Sequence, residues 1–337
     1  MLSVVFVDVK VGIFFNGKVL IEHYKLIKMK KLTDFRTISE QWCNDKRFYV
    51  KKSTFATYMQ IVEKHLLPYF GDKKVVNEKC VQSFVLLKLD DGLSRKSVKD
   101  MLMVLKMILS FAEKHHSWVH KEFDVRFPME HNKKEVEVFS KIDQRRIMDY
   151  VKENMSYKNL GIFICLSTGL RIGEICALTW NDIDVKHETI TINKTIQRIY
   201  SPNNTNGNTE LILDTPKTKN SIRVVPMSEE LIGIIKPIKA RCFCNSYFIL
   251  TNTSLPTEPR TYRNYYKKLL TKLGVPFLKF HCLRHSFATR CIEGKCDYKT
   301  VSVLLGHSNI STTLNLYVHP NMEQKKRCIE QMCRVLR

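Results

Sequence analysis

No segment of the 337 residues runs uninterrupted through about 18 apolar side chains, the length a membrane-crossing helix needs, so no transmembrane span is expected. The first 15 residues are rich in apolar side chains. Asp8 and Lys10 interrupt them and no basic stretch precedes them, which argues against a secretory signal. A disulfide rhythm is also missing. The 11 cysteines are odd in number and scattered, as expected of reduced thiols in a cytoplasm. Cys242 and Cys244 form a C-x-C pair, but no second Cys/His pair follows at finger spacing, so zinc binding there is disfavoured. Internal repeats are absent. Acid is the scarce charge: 33 Asp and Glu stand against 55 Lys and Arg, a formal net charge of +22. That excess predicts a large polyanionic partner, most simply nucleic acid. A membrane-surface protein can also be basic, but no basic amphipathic segment dominates here.

What remains is a chain of globular composition, 44% hydrophobic and 26% charged, long enough for two domains with their own cores. Residues 1–28 differ from the rest. They read either as a hairpin around Asn16-Gly17 or as a mis-called extension before Met29. Residues 29–122 read as a helical domain, 123–138 as a polar linker, and 139–337 as a second domain. In the first domain, Thr37 and Glu40 have capping-box spacing. Ser53 or Thr54 can cap a helix carrying Phe55, Tyr58, Ile61, Val62 and Leu66 on one face. Asp90-Asp91-Gly92 is a turn. A helix over 94–116 follows, with Val98, Met101, Leu102, Leu105, Ile108, Leu109 and Ala112 on one stripe. Arg95, Lys96, Lys99 and Lys106 fall on its other face, either as a solvated surface or as phosphate contacts.

The second domain starts a helix at Ser140 and continues with a more buried one, "YKNLGIFICLSTG". Segments 188–200, 209–215 and 221–226 are β-rich; Ser228-Glu229 restarts the helical pattern, and the last 80 residues are mostly helical. The expected fold class is therefore α+β and mainly helical, with a small antiparallel sheet in the second domain.

Four stretches of this domain carry chemistry. In "STGLRIGEICALTW", Gly169 can stop one helix and Arg171 opens the next. Arg171 is either aimed into a cleft or paired with Glu174 on the surface. In "DTPKTKNSIRVVPM", Pro216 and Asn220 mark a turn between strands with Lys217 and Lys219 at its tip. A lysine there is either solvated or reaches into a DNA groove, where an ammonium can protonate a departing oxygen. In "FHCLRHSFATR", His281 and Arg284 lie three apart and so share a helix face, while His285 should face elsewhere. In "LLGHSNISTTLNLYVH", Gly306-His307 precedes a short helix that begins near Ser311 and positions Tyr317.

No one stretch decides, but their order does. Arg, Lys, His-x-x-Arg, Gly-His and Tyr in sequence, with the words "TGLRIGE", "HCLRHSFAT" and "LLGHSNISTTLNLYVH", resemble the tyrosine recombinase (phage integrase) family. The resemblance covers about 139–320 strongly and 35–117 more loosely.

The resemblance implies a SAM-like helical core-binding domain and a mixed α/β catalytic domain that clamp duplex DNA. It implies a catalytic set of Arg171, Lys217, His281, Arg284, His307 and the nucleophile Tyr317. Arg171 and Arg284 would clamp the phosphoryl oxygens and His307 would donate a further hydrogen bond. Lys217, or Lys219 in its place, would be the general acid. His281 would help deprotonate the tyrosine or orient the phosphate. No Asp/Glu cluster stands ready for two magnesium ions, so metal-free and ATP-free chemistry, with no cofactor, is expected. The implied partners are double-stranded DNA recombination sites, other protomers in a tetrameric synapse, and an accessory bending or directionality factor. A cytoplasmic, nucleoid-associated role in a bacterium or phage follows. The tail reads as a helix with Ile329, Met332, Cys333 and Leu336 on one stripe, packing on its own domain or on a neighbouring protomer. The long "SPNNTNGN" insertion is more like integrases of phages and conjugative transposons than Xer-type resolvases. A catalytically silent DNA-binding relative and a relaxing topoisomerase are the rival readings.

Overall fold

The computed structural model describes residues 33–116, 118, 123–129, 136–202, 204, 207–216, 219–317 and 322–335. The hairpin expected within 1–28 lies outside the described residues. The chain divides into two compact units. One holds the described residues up to Asp45 together with Val62–Arg126. The other holds Lys46–Ile61 together with everything from Phe127 onward.

In the first unit, helix α1 (Phe35–Lys46) starts where Asp34 accepts the Thr37 backbone N–H at 2.8 Å. The cap is thus Asp34, and Thr37 sits inside the first turn, not at the head of a capping box. The helix expected to run from Ser53 to Leu66 is present, but it widens before its end. Helix α2 (Lys52–Ile61) passes into a π-helical turn over Val62–Leu66 and then into the short α3 (Leu67–Phe70). Pro68 has no N–H to give to the preceding turn, and a wider turn absorbs that loss.

Helix α4 (Glu78–Asp90) is capped by Asn77, whose side chain accepts the Cys80 N–H at 2.9 Å. It stops at the expected turn, where Gly92 takes a φ of +79°. Helix α5 (Arg95–His116) buries Val98, Met101, Leu105, Ile108, Leu109 and Ala112 as its spacing predicts. Val104 joins them, while Leu102 is only half-buried. Lys96, Lys99 and Lys106 are exposed and Arg95 is half-buried. The Phe35, Phe70 and Phe84 rings form the centre of this unit, with centroids 5.7 and 5.1 Å apart.

The second unit opens with α2. Helix α6 (Lys141–Glu153) is capped by Ser140 and is followed by α7 (Tyr157–Thr168), which is buried from Asn159 onward except at the half-buried Ser167. A Cβ on Gly161 of α7 would come within 2.5 Å of the Tyr262 hydroxyl, so only glycine lets the two elements close. After α8 (Ile172–Ala177) comes a three-stranded antiparallel sheet in the order β1-β2-β5, made of β1 (Ile183–Asp184), β2 (Thr189–Ile192) and β5 (Arg223–Pro226). Strands β3 (Thr195–Tyr200) and β4 (Thr209–Asp214) pair antiparallel as a separate ribbon. There are therefore two small sheets where one was expected.

The connection from β4 to β5 is not a hairpin, because each strand pairs elsewhere and the chain crosses between sheets. Helices α9 (Glu229–Ala240), α10 (Pro259–Lys272), α11 (His281–Glu293), α12 (Tyr298–Leu305), α13 (Ile310–Tyr317) and α14 (Met322–Val335) complete the fold. Ile329, Met332 and Cys333 of α14 are exposed. Among the described residues, no helix is long and apolar enough to cross a membrane.

Candidate active site

Gly169 adopts a φ of +69°, ends α7 and turns the chain so that Arg171 becomes the residue before α8. Arg171 is bound twice to Glu174: its backbone N–H reaches Oε2 at 2.9 Å and its Nη1 reaches Oε1 at 2.8 Å. The ion pair and the cleft, opposed in the sequence, coexist. Glu174 is buried, so the pair fixes the guanidinium at the rim of a cavity in place of floating on the surface. Burial alone would raise the Glu174 carboxyl. The hydrogen bonds and charge of Arg223, then the charge of Arg171, bring it below the ordinary carboxylate value.

Three arginines end on three successive carbonyls at the C-terminal end of α12. Arg223 Nε donates to Leu304 O at 2.7 Å, Arg284 Nη2 to Leu305 O at 2.6 Å, and Arg171 Nη2 reaches Gly306 O at 3.4 Å. A helix C-terminus carries partial negative charge and unpaired carbonyls, so it holds cations well. Arg284, on α11, is 1% exposed and donates a further bond to Gly169 O at 3.0 Å. It thereby ties the turn before Arg171 to the turn before His307.

Gly306 then turns the chain with a φ of +65°, and a Cβ there would lie 2.8 Å from Asn220 O. His307 follows, half-buried, with Nδ1 2.8 Å from the hydroxyl of the fully buried Thr313. A cavity of about 440 Å³ lies here, lined by Arg171, His307, Thr312, Thr215, Lys51 and Ser53 among others.

His281 begins α11. Desolvation of its ring, then the His285, Arg284 and Arg171 charges, lower its pKa to about 4, although a face of the residue remains exposed. Burial, followed by Arg284 and Arg171, lowers His307 to about 4 as well. His285 does not face away as expected. It is four residues on, one helical turn, and its ring meets His281 edge-on with centroids 4.5 Å apart.

Tyr317 is the last residue of α13, the short helix expected to carry it; the helix starts at Ile310, one residue before Ser311. Lys217 lies outside the described residues, and the backbone of Lys219 opens a single 3₁₀ turn, Lys219–Ser221. Arg171, Arg284 and His307 are thus brought together around the end of α12. Arg95, Lys96, Lys99 and Lys106 belong to α5 of the first unit.

Sequence reasoning missed three residues here. Arg223 had a usable signal: in "SIRVVP" the strand alternation puts an arginine on the inward register, and β5 does bury Arg223 and Val225 while exposing Val224. Lys51 had none, since its Nζ meets the Thr215 hydroxyl and Pro216 O, both at 3.0 Å, across some 165 residues of sequence. Thr313 is recognisable only once the α12–α13 turn is formed.

A family model described as "Phage integrase family" matches residues 137–324, and another, "Phage integrase, N-terminal SAM-like domain", matches residues 34–77. The chain is 30% identical over 311 residues to a "Tyrosine recombinase XerC-like" protein of Caldanaerobacter subterraneus subsp. tengcongensis, covering 84% of this chain and 78% of that one. It is 24% identical over 295 residues to the ICEBs1 integrase of Bacillus subtilis, covering 82% and 76%. The structure of the Tn1549 transposon integrase in complex with transposon right end DNA matches with a TM-score of 0.73, covering 89% of this chain and 100% of that one at 21% identity; the fold is shared. With the family model spanning more than half of its length, and that relative aligned along most of it, the chain belongs to the phage integrase family, the tyrosine-type site-specific DNA recombinases.

Proposed function

We propose that this recombinase integrates or excises a mobile element, with Tyr317 as nucleophile and Arg171, Arg284, His307, His281 and Lys217 as its catalytic partners. The observation that carries the reading is the convergence of Arg171, Arg284 and His307 on the end of α12, with Arg171 and His307 lining the cavity and Tyr317 ending the next helix. One of these relatives is the integrase of a transposon, Tn1549, another is named an integrase, and both resemble this chain along most of its length.

In this reading the Tyr317 oxygen attacks a backbone phosphorus, forming a P–O bond to tyrosine as the bond to the 5′ oxygen breaks. Lys217 gives its proton to that departing oxygen, with Lys219 as the alternative donor. His281, neutral at pH 7, can take the tyrosine proton or orient the phosphate. Negative charge builds on the non-bridging oxygens, and guanidiniums already held in place stabilise it without reorganising. Donation by His307 needs the tautomer with its proton on Nε2, in which Nδ1 accepts from the Thr313 hydroxyl 2.8 Å away. The partner strand's 5′ hydroxyl then displaces tyrosine, so one phosphodiester is remade for each one broken.

The DNA contacts are assigned to residues 29–122, including Arg95, Lys96, Lys99, Lys106, and to residues 139–337, with Lys219 near the cleaved phosphate. The exposed apolar residues of α14 fit docking on a neighbouring protomer in a tetrameric synapse. A cytoplasmic setting, and an accessory bending or directionality factor, fit the same reading.

The test is covalent trapping on a nicked half-site taken from DNA flanking the gene, comparing the parent with Tyr317→Phe. A protein–DNA adduct in the parent alone is the expected result. Tight low-salt binding without any adduct would instead support a silent DNA-binding protein.

A further inference from the structure

Arg223 is buried and lies on β5, outside the set that the sequence order picks out. Its Nη1 donates to Glu174 Oε1 at 3.1 Å and to Ser221 O at 3.0 Å, its Nη2 to Glu174 Oε2 at 2.9 Å, and its Nε to Leu304 O at 2.7 Å. Each of these partners leads to a different part of the site. Glu174 holds the backbone and the guanidinium of Arg171. Leu304 lies in the last turn of α12, three residues before His307. Ser221 closes the 3₁₀ turn that leaves the lysine-bearing connection. Close packing reinforces the link, since a Cβ on Gly306 would also come within 3.2 Å of Arg223 Cδ.

Stability alone does not call for an arginine at this place. A buried ion pair is often replaceable by apolar side chains of similar volume without loss. What an apolar side chain cannot do is fix a carboxylate and two carbonyls in one geometry. A lysine fails similarly, because a point charge on a flexible stem cannot make the parallel pair of bonds to a carboxylate and still reach two carbonyls.

Building on the strand-cleavage reading above, we infer that Arg223 is a positioning residue that sets Arg171, the His307 turn and the exit of the lysine-bearing connection in a single register. Its guanidinium is engaged by Glu174 and two carbonyls, and its assigned role is to hold these groups, not to contact the phosphate.

The test is single-turnover adduct formation on the nicked half-site by the parent, Arg223→Lys and Tyr317→Phe, with DNA affinity and thermal unfolding measured on the same proteins. R223K is expected to bind DNA like the parent and to cleave on the order of 10- to 100-fold more slowly, the cost of misplacing a catalytic group by about an ångström. A second substrate carries a methylphosphonate at the scissile position, which removes the charge that Arg171 would neutralise. On it, the R223K deficit is expected to shrink, something a general loosening of the fold would not produce. R223K reacting within about twofold of the parent overturns the inference. So does an equal deficit on both substrates accompanied by a lowered melting temperature. A parent that forms no adduct overturns the strand-cleavage reading and this inference with it, whereas a reactive parent beside an equally reactive R223K overturns this inference alone. If R223K does not fold, Glu174→Gln interrogates the same link: slower cleavage at unchanged affinity is expected, and parental cleavage would overturn the inference.

Discussion

Glu174 accepts two hydrogen bonds from Arg171, one from its backbone N–H at 2.9 Å and one from Nη1 at 2.8 Å, while its other contacts go to Arg223. Replacing this carboxylate by a methyl group leaves the buried Arg223 without its counter-charge. Glu174→Ala is therefore expected to lose about 3–5 kcal/mol of stability, the range for breaking a buried pair from one side. Urea unfolding of the two proteins measures it; a loss below about 1 kcal/mol, the scale of a surface pair, would contradict the buried geometry.

Gly306 combines a left-handed backbone with a close approach to Asn220 O. Gly306→Ala is expected to cost on the order of 1–3 kcal/mol and to displace His307. Unfolding midpoints together with adduct rates test this, and an alanine variant matching the parent in both would count against the tight turn.

His281 and His307 both sit near a pKa of about 4, against 6.5 for an ordinary histidine. Between those values the unfolded chain binds protons that the folded chain does not. Stability of the DNA-free protein is therefore expected to fall as pH drops from 6.5 towards 4 and to be fully present above that window. Denaturant unfolding at steps through this range, with the histidine C2 protons followed by NMR, checks it. Stability that stays level down to pH 4, or histidines that titrate near 6.5, would refute it.

Lys96, Lys99 and Lys106 are exposed on α5, opposite its buried stripe. If each meets a phosphate, each change to alanine lowers the slope of log affinity against log salt by about 0.9, without altering sequence preference. Half-site titrations at several salt concentrations measure the slope, and an unaltered slope would rule out a phosphate contact for that lysine.

Much of this molecule is legible because its signals are local. Ser140, Ser228 and Gly169 mark helix ends by their own chemistry, and the α5 stripe needs only a 3.6-residue period. Four separated words in the right order point to the site, and the structure brings Arg171, Arg284 and His307 to one place. Illegible features depend on partners distant in sequence or on register. The β4–β5 connection reads like a hairpin because a turn's residues do not say which strands it joins. The π-helical turn at Val62 follows from Pro68, six residues further on, where one apolar face looks continuous. Setting His285 against its neighbour Arg284 hides the residue one turn back that it actually meets, His281.

Helix α2 precedes the polar 123–138 stretch in sequence, yet it groups with the residues that follow that stretch. It lies against β3, Lys52 pairs with Glu210 at 2.8 Å, and Lys51 and Ser53 help line the cavity beside Arg171. A protein severed within 123–138 would lose one wall of the cavity beside Arg171. The same holds for hybrids: exchanging the first 122 residues between two relatives would transplant that wall along with whatever DNA preference travels in those residues, so altered targeting and altered chemistry would be inherited as one trait.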